Sequence, residues 1–214
     1  MKGELGLKEE LIKEIFLIEW DMFKKVSNVG GEASCQQNQK TFMIMRVSQA
    51  MSWTEPMLES YLEDLKSAKK EGRNLMTEKY AHMMKSTFPE EYKEIAHRLP
   101  IISEDAISLV ERITSMMVQW AKEMKKKYPN VVATGRPIER KGDNAYDTSL
   151  ETYSRGELLT YGISTLQLSW DYFSKCLAEG LNNYEAVLTN MVKLYGYDSI
   201  QRAEENNIIK LSQI

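Results

Sequence analysis

The stretch "SEDAISLVERITSMMVQWAKEMKKKYP" (residues 103–129) gives the clearest indication of the fold class. Its apolar positions recur every three or four residues, at Ala106, Val110, Ile113, Met117, Trp120 and Met124. That spacing places them on one face of an α-helix. Ser103 can cap the first turn, and Pro129 prevents the helix from continuing. The stretch therefore predicts one long amphipathic helix.

The same periodicity continues on both sides of this helix. On the N-terminal side it predicts helices over about residues 8–26 and 36–52, then from Thr54 to Gly72, from Asn74 onward, and from Pro89 to Pro100. On the C-terminal side an irregular stretch, 129–147, precedes helices that begin at caps Asp147, Ser164 and Asn183 and near Ser199. No run is long enough to form paired strands. We expect an all-α protein, a single compact domain over residues 1–214 with about nine to ten helices.

The two halves of the chain resemble each other. Residues 8–99 and 103–206 each read as a long helix, an irregular loop and four further helices. When "KTFMIMRVSQ" (40–49) is aligned with "ETYSRGELLT" (151–160), Phe42 matches Tyr153 and Arg46 matches Glu157. This pattern predicts an internal duplication of two five-helix repeats. The halves would then pack about a pseudo-two-fold axis, as the subunits of a symmetric dimer do.

Composition limits the classes of function. The 214 residues carry a net charge of −3, so a basic nucleic-acid-binding face is not expected. No window holds ~18 uncharged apolar residues, and the N-terminus lacks a signal-peptide core, so no membrane association is expected. Two cysteines are too few for a disulfide framework, which favours the cytoplasm. The sequence contains no cofactor-binding motif, and Glu94-x-x-His97 is only one half of a di-iron carboxylate site, so we predict neither a cofactor nor a metal.

Two loops occupy equivalent places in the proposed repeats: "NVGGEASCQQNQ" (28–39) and "ATGRPIERKGDNAYD" (133–147). A pseudo-two-fold axis would bring them together and direct two helix N-termini at one pocket, with Arg136 beside it. Such a pocket suits a small anionic or amide-bearing ligand. The alternative is that Gly30 and Gly31 only reverse the chain and that the arginine is solvated.

Cys35 lies at the expected start of a helix, a position that favours the thiolate. If the protein is an enzyme, which the sequence leaves open, Cys35 is the candidate nucleophile or redox centre. Glu19, Glu151 or Glu157 would then handle protons. The alternative is a small buried thiol that packs against the first helix. Cys176, on an apolar helix face, is expected to be buried in the core.

Charged residues on apolar helix faces complete the candidate site. Arg46 shares a face with Gln49, and its aligned partner is Glu157. The pair is either a structural ion pair across the repeat interface or a guanidinium that faces a ligand anion. The predicted ligand-binding residues are Trp20, Gln36, Arg46, Gln49, Arg136, Asp147, Glu151 and Arg155, and the predicted catalytic residues are Cys35, Glu19 and Glu157.

Five segments carry a family resemblance: "IEWDMF" (18–23), "GGEASCQQN" (30–38), "FMIMRVSQ" (42–49), "GRPI" (135–138) and "DTSLETYSRGEL" (147–158). In this order they resemble an uncharacterised bacterial and archaeal family, a domain of unknown function marked by a Glu-Trp pair and a Cys-Gln motif. The resemblance implies that Glu19, Trp20, Cys35 and Gln36 match its signature positions. It implies no activity.

Two functions of different classes remain open. The first is a cytoplasmic protein that binds a small molecule between its halves. The second is a helical protein–protein interaction or regulatory module without a small-molecule site. Neither interpretation excludes a homo-oligomer.

Overall fold

The computed structural model describes residues 6–27, 34–144 and 147–206, without the side chains of Ser34 and Cys35. Over these residues it is helical, without strands, which confirms the all-α prediction. Its α-helices are α1 (Leu7–Lys24), α2 (Gln39–Met51), α3 (Glu55–Lys70), α4 (Leu75–Thr87), α5 (Pro89–Ile95), α6 (Glu104–Lys127), α7 (Pro129–Ala133), α8 (Leu150–Leu158), α9 (Ile163–Ala178), α10 (Asn183–Leu194) and α11 (Ile200–Glu205). Short 3₁₀ helices cover Ser34–Gln37, Ala96–Arg98 and Arg140–Gly142.

The long helix α6 organises the second half of the chain. Val110 and Ile113 on its apolar face are fully buried, and the helix packs against α8, α9 and α10. Helix α1 has the same place in the first half, where it packs against α2, α3 and α4. The halves join through α2 with α10, α3 with α9, and α4 with α8. If the two proposed repeats were swapped, so that α2, α3 and α4 took the places of α8, α9 and α10, the same three contacts would result. The duplication itself stays a prediction.

Two similar turns lead into α4 and α10. Gly72 and Gly180 adopt left-handed φ values of 72° and 69°, which glycine tolerates best. Asn74 and Asn182 then cap the following helices. The amide group of Asn74 also donates to the carbonyl of Met22 in α1 at 2.8 Å, and that of Asn182 donates to α6 at 3.2 Å. Each turn therefore fixes its helix to the long helix of the same half.

Three expected caps, those of α8, α10 and α9, are wrong by one or two residues. The first two have the same cause. Helix α8 is capped by Ser149, not by Asp147, because the Ser149 hydroxyl accepts from the backbone N–H of Thr152. Helix α10 is capped by Asn182, not by Asn183. In both places neighbouring residues have equal capping ability.

Helix α9 begins after Gly162 instead of Ser164, and its cap comes from another helix. The carboxylate of Asp64, in α3, accepts from the backbone N–H of Gly162 at 2.9 Å and from the Thr165 hydroxyl at 2.6 Å. No local sequence pattern can reveal such a cap.

The short helix α7 lies within the stretch expected to be irregular. The backbone N–H groups of Asn130 and Val131 lie in its first turn, where no partner within the helix exists. They donate to the Glu204 carboxylate of α11, at 2.9 and 2.8 Å. Val131 and Val132 are buried in a second apolar cluster with Ile200 and other residues. Tertiary contact with α11 therefore stabilises a helix too short to form alone.

Candidate functional site

A buried network of charges joins four helices at the centre of the molecule. Glu19 comes from α1, Arg46 from α2, Lys79 from α4 and Glu157 from α8. Their exposed fractions are 0%, 6%, 1% and 4%. Two cations and two carboxylates balance, so the network as a whole is neutral.

The Glu19 carboxylate holds one side of the Arg46 guanidinium. Arg46 donates through Nε to Oε2 at 2.8 Å and through Nη2 to Oε1 at 2.5 Å, a bidentate pair. The Tyr61 hydroxyl, in α3, donates to the same Oε1 at 2.8 Å. Both carboxylate oxygens of Glu19 are therefore occupied by protein donors.

Four side chains donate to the Glu157 carboxylate. Arg46 Nη1 lies 3.0 and 2.8 Å from its two oxygens, and Lys79 Nζ lies 2.6 Å from Oε2. Gln49 Nε2 and the Tyr161 hydroxyl reach Oε1 at 2.9 and 2.8 Å. Gln49 also accepts from Arg46 Nη1 at 3.0 Å, so its amide joins the two charged groups.

The protonation states follow from these contacts. Burial by itself would raise the pKa of Glu157, but the charges of Arg46 and Lys79 and the donated hydrogen bonds hold it well below its usual range. Burial lowers the pKa of Arg46, but the charges of Glu157 and Glu19 outweigh burial and raise it. Burial, followed by the nearby carboxylates, raises the pKa of Tyr61 and Tyr161. Both tyrosines therefore remain protonated donors.

Close approach of α4 and α8 places Lys79 on Glu157. Gly156 allows this approach, because a Cβ atom there would lie 2.8 Å from Met83 Cγ and 2.9 Å from the Lys79 carbonyl oxygen. The Lys79 ammonium also lies 3.6 Å from the centre of the Tyr153 ring.

Beside the network lies a cavity of about 630 Å³, lined by residues from both halves of the chain. Its walls are mostly apolar and include the aromatic rings of Phe42, Trp53, Trp120, Tyr153, Phe173 and Tyr184. Arg46, Gln49, Glu157 and Tyr161 form the network's face toward the cavity. Behind them, Glu19, Tyr61 and Lys79 do not line it.

Exposed residues mark where the cavity reaches the surface. Arg136 and Asp147, both lining residues, are exposed on the segment between α7 and α8. Arg136 lies 4.6 Å from the centre of the Tyr153 ring and donates to the Thr148 carbonyl at 3.1 Å. This opening is the one place where the structure brings an exposed predicted cation to the cavity.

The structure brings together only part of the predicted site. Arg46, Gln49, Glu157, Arg136 and Asp147 line the cavity. The Arg46–Glu157 contact expected from the alignment of the halves is present. Arg46 donates to both carboxylates, yet Arg46 and Glu157 also line the cavity, so the choice between a structural ion pair and a ligand-facing guanidinium stays a prediction.

The other predicted residues lie elsewhere. Trp20 packs against Phe42 with ring centres 5.3 Å apart but does not line the cavity. Gln36 is buried and donates to the carbonyls of Phe23 and Val26, at 3.0 and 2.8 Å, around the C-terminal end of α1. The side chain of Cys35 lies outside the described residues, so its predicted role stays a prediction. None of residues 36–39 lines the cavity.

Arg155 and Glu151 form a surface ion cluster instead. Arg155 donates to Glu111 of α6 and lies 3.8 Å from Glu151. Glu151 also accepts from the backbone N–H of Arg140 at 3.0 Å. Arg155 points to a different side of α8, because the side that faces the cavity carries Tyr153, Ser154, Glu157 and Leu158.

Sequence reasoning missed Lys79, Tyr61, Tyr161 and Tyr184. For Lys79 a signal existed, because it lies three residues after Met76 and four before Met83, on the buried side of α4. A lysine at that position indicates a buried partner. The tyrosine hydroxyls gave no signal, since their rings alone explain an apolar position.

The fold and the network define an all-helical class with a buried neutral ion cluster beside a cavity. A family model described as "Protein of unknown function (DUF4125)" matches residues 9–205, and the chain belongs to this family. The expected membership of a family of unknown function is thus confirmed, while the Glu-Trp and Cys-Gln signature stays a prediction. Neither the curated proteins nor the solved structures gave a match.

Two features are absent from residues 6–27, 34–144 and 147–206. No helix among them is both long and apolar enough to cross a membrane. Nor do three or more His, Cys, Asp or Glu side chains in these ranges come together as metal ligands would.

Proposed function

We propose that this protein binds a small, largely apolar, amide-bearing ligand in the cavity between its two halves. The observation that supports this most is the cavity itself, whose 630 Å³ falls within the ~300–1,000 Å³ of small-molecule sites. Its walls combine aromatic rings with a few polar groups, as such sites do. With only two cysteines in the chain, we propose the cytoplasm as the place where it acts.

Of the two ligand chemistries considered from the sequence, the amide-bearing one fits better. Arg46 cannot serve as a free anion receptor, because Glu19 and Glu157 already neutralise it. An anion would have to break these buried pairs or approach them unpaired, and both are costly. An uncharged amide adds no net charge beside the network.

Binding is favoured over catalysis by the network. A general base needs a carboxylate that can accept a proton. Glu157 instead receives four donors and has a lowered pKa. It is therefore suited to hold the cavity wall in place.

The test uses N-phenyl-naphthylamine, an uncharged dye that fluoresces in apolar cavities. Val187→Trp on α10 places an indole at a cavity-lining position, while Ala186→Trp places the same ring at the neighbouring exposed position outside the lining. We expect saturable binding to the unaltered protein, at least about tenfold weaker binding to Val187→Trp, and unchanged binding to Ala186→Trp. Absent binding, or equal binding to all three proteins, would favour the interaction module instead.

A further inference from the structure

The Tyr184 hydroxyl differs from the cavity-facing polar groups of the network, each of which is hydrogen-bonded to protein. Tyr184, near the start of α10, lines the cavity and packs against both apolar clusters. Within residues 6–27, 34–144 and 147–206, no protein group forms a hydrogen bond with its hydroxyl. By contrast, the Tyr161 hydroxyl donates to Glu157 at 2.8 Å.

The surroundings of this hydroxyl are apolar. Burial raises the pKa of Tyr184 to about 12, and no charged group contributes to the shift. The hydroxyl therefore remains a neutral donor throughout the physiological range. Tyr184 is half-buried, and a donor in largely apolar surroundings is unfavourable unless a water or a ligand completes its hydrogen bond.

We infer that the Tyr184 hydroxyl donates a hydrogen bond to a carbonyl oxygen of the ligand. This inference rests on the proposed function, because it assigns one contact within the same cavity. Two observations support it: Tyr184 lines the cavity, and no described residue forms a hydrogen bond with its hydroxyl.

A carbonyl fits better than a carboxylate at this point. The same burial that disfavours a phenolate would disfavour any anion brought beside the ring. A carbonyl oxygen accepts the hydrogen bond without adding charge. The ligand class is accordingly an apolar, ring-bearing molecule with an uncharged carbonyl, such as an amide.

Two dyes separate the contact from the cavity. Prodan is a naphthalene that bears a carbonyl group, and its emission moves to longer wavelength when that carbonyl accepts a hydrogen bond. N-phenyl-naphthylamine has a comparable apolar body and no carbonyl. Both are titrated into the unaltered protein, Tyr184→Phe, and the control Tyr128→Phe, which removes a buried hydroxyl outside the cavity lining.

We expect prodan to bind Tyr184→Phe about five- to tenfold more weakly, the effect of one lost hydrogen bond. N-phenyl-naphthylamine should bind all three proteins alike. Prodan bound to the unaltered protein should emit at the wavelength of a hydrogen-bonded carbonyl, a readout that needs no variant.

Unchanged prodan affinity in Tyr184→Phe, equal losses for both dyes, or prodan emission typical of an apolar solvent would overturn the inference while the proposed function stands. So would binding of N-phenyl-naphthylamine without binding of prodan. Failure of both dyes to bind would overturn the proposed function together with the inference.

Discussion

Two walls of the cavity carry tyrosines with opposite hydrogen-bonding environments. On the α8 side, the Tyr161 hydroxyl is one of four donors that converge on Glu157. On the α10 side, the Tyr184 hydroxyl has no partner among the described residues, and its ring meets apolar neighbours. Both residues are tyrosines, but only the Tyr161 hydroxyl has a hydrogen-bond partner among the described residues.

This difference between Tyr161 and Tyr184 indicates that one wall stabilises the fold and that the other is free to bind a ligand. A buried polar group with all its partners supports the fold, and its loss leaves a charge unpaired. A buried polar group without a partner lowers stability until something binds to it. Substitutions on the two walls should therefore have different effects on the free energy of unfolding.

The largest effect is expected for Arg46→Met. It leaves Glu19 and Glu157 without their shared cation, and removing one member of a buried pair costs about 3–5 kcal/mol. Urea denaturation measures this loss. Arg155→Met, which breaks only half-exposed ion pairs, serves as control and should cost less than about 1 kcal/mol. Similar losses in both variants would contradict the structural role of the network.

Tyr161→Phe should lower the free energy of unfolding by about 1.5–3 kcal/mol, because it removes a hydrogen bond to a charged group. Tyr184→Phe removes an unpartnered hydroxyl and should leave the stability unchanged or raise it. Thermal or urea unfolding of the two variants compares the walls directly. If both variants lose the same stability, the contrast between the walls is wrong.

Gly156→Ala should cost about 1–3 kcal/mol through overpacking, because its Cβ would meet the Lys79 carbonyl oxygen and separate α4 from α8. The control is Gly135→Ala, whose Cβ would lie at an ordinary 3.5 Å from the Val132 carbonyl oxygen. Calorimetry of both variants measures the difference. A tolerated alanine at 156 would mean that the two helices can separate without disturbing the Lys79–Glu157 contact.

The smallest expected effect is the dependence on pH. The pKa of Glu157 is lower in the folded protein than its ordinary value of 4.5, so the unfolded chain binds a proton first as the pH falls. Its contribution to stability is therefore present above pH 4.5 and is lost as the pH falls toward the lower folded value. Between about pH 4.5 and 3.5 this one group should remove about 1 kcal/mol.

Carbon NMR tests this directly. The carboxyl carbon of Glu157 should keep its ionised chemical shift down to about pH 3, while exposed glutamates titrate near their ordinary pKa. A Glu157 midpoint near 4.5 would mean that Arg46 and Lys79 do not hold its proton off.

The local part of the fold could be predicted from the sequence. The caps at Asn74 and Ser103 are correct because one suitable residue precedes a clear apolar period. The start of α9 could not be predicted, since its cap, Asp64, lies in another helix. Capping preferences concern residues close in sequence, whereas this cap depends on a residue that is close only in the folded structure.

The candidate site divides in the same way. Aligning the halves brought Arg46 to Glu157, because that pair depends on how the halves meet. The sequence also predicts Arg155 as a ligand-binding residue beside them, but Arg155 lies on another side of α8, against Glu111. The sequence did not indicate a role for Tyr184, because only the tertiary structure shows whether its hydroxyl has a hydrogen-bond partner.

The capping of α7 bears on how the cavity is made during protein synthesis. Val131 and Val132 form part of its wall, and the group that holds their helix, Glu204, follows Val131 by 73 residues. The ribosome synthesises Val131 before Glu204, so α7 lacks the carboxylate that caps it until the later residues have emerged. The part of the cavity wall formed by Val131 and Val132 would therefore be completed only after Glu204 has been synthesised.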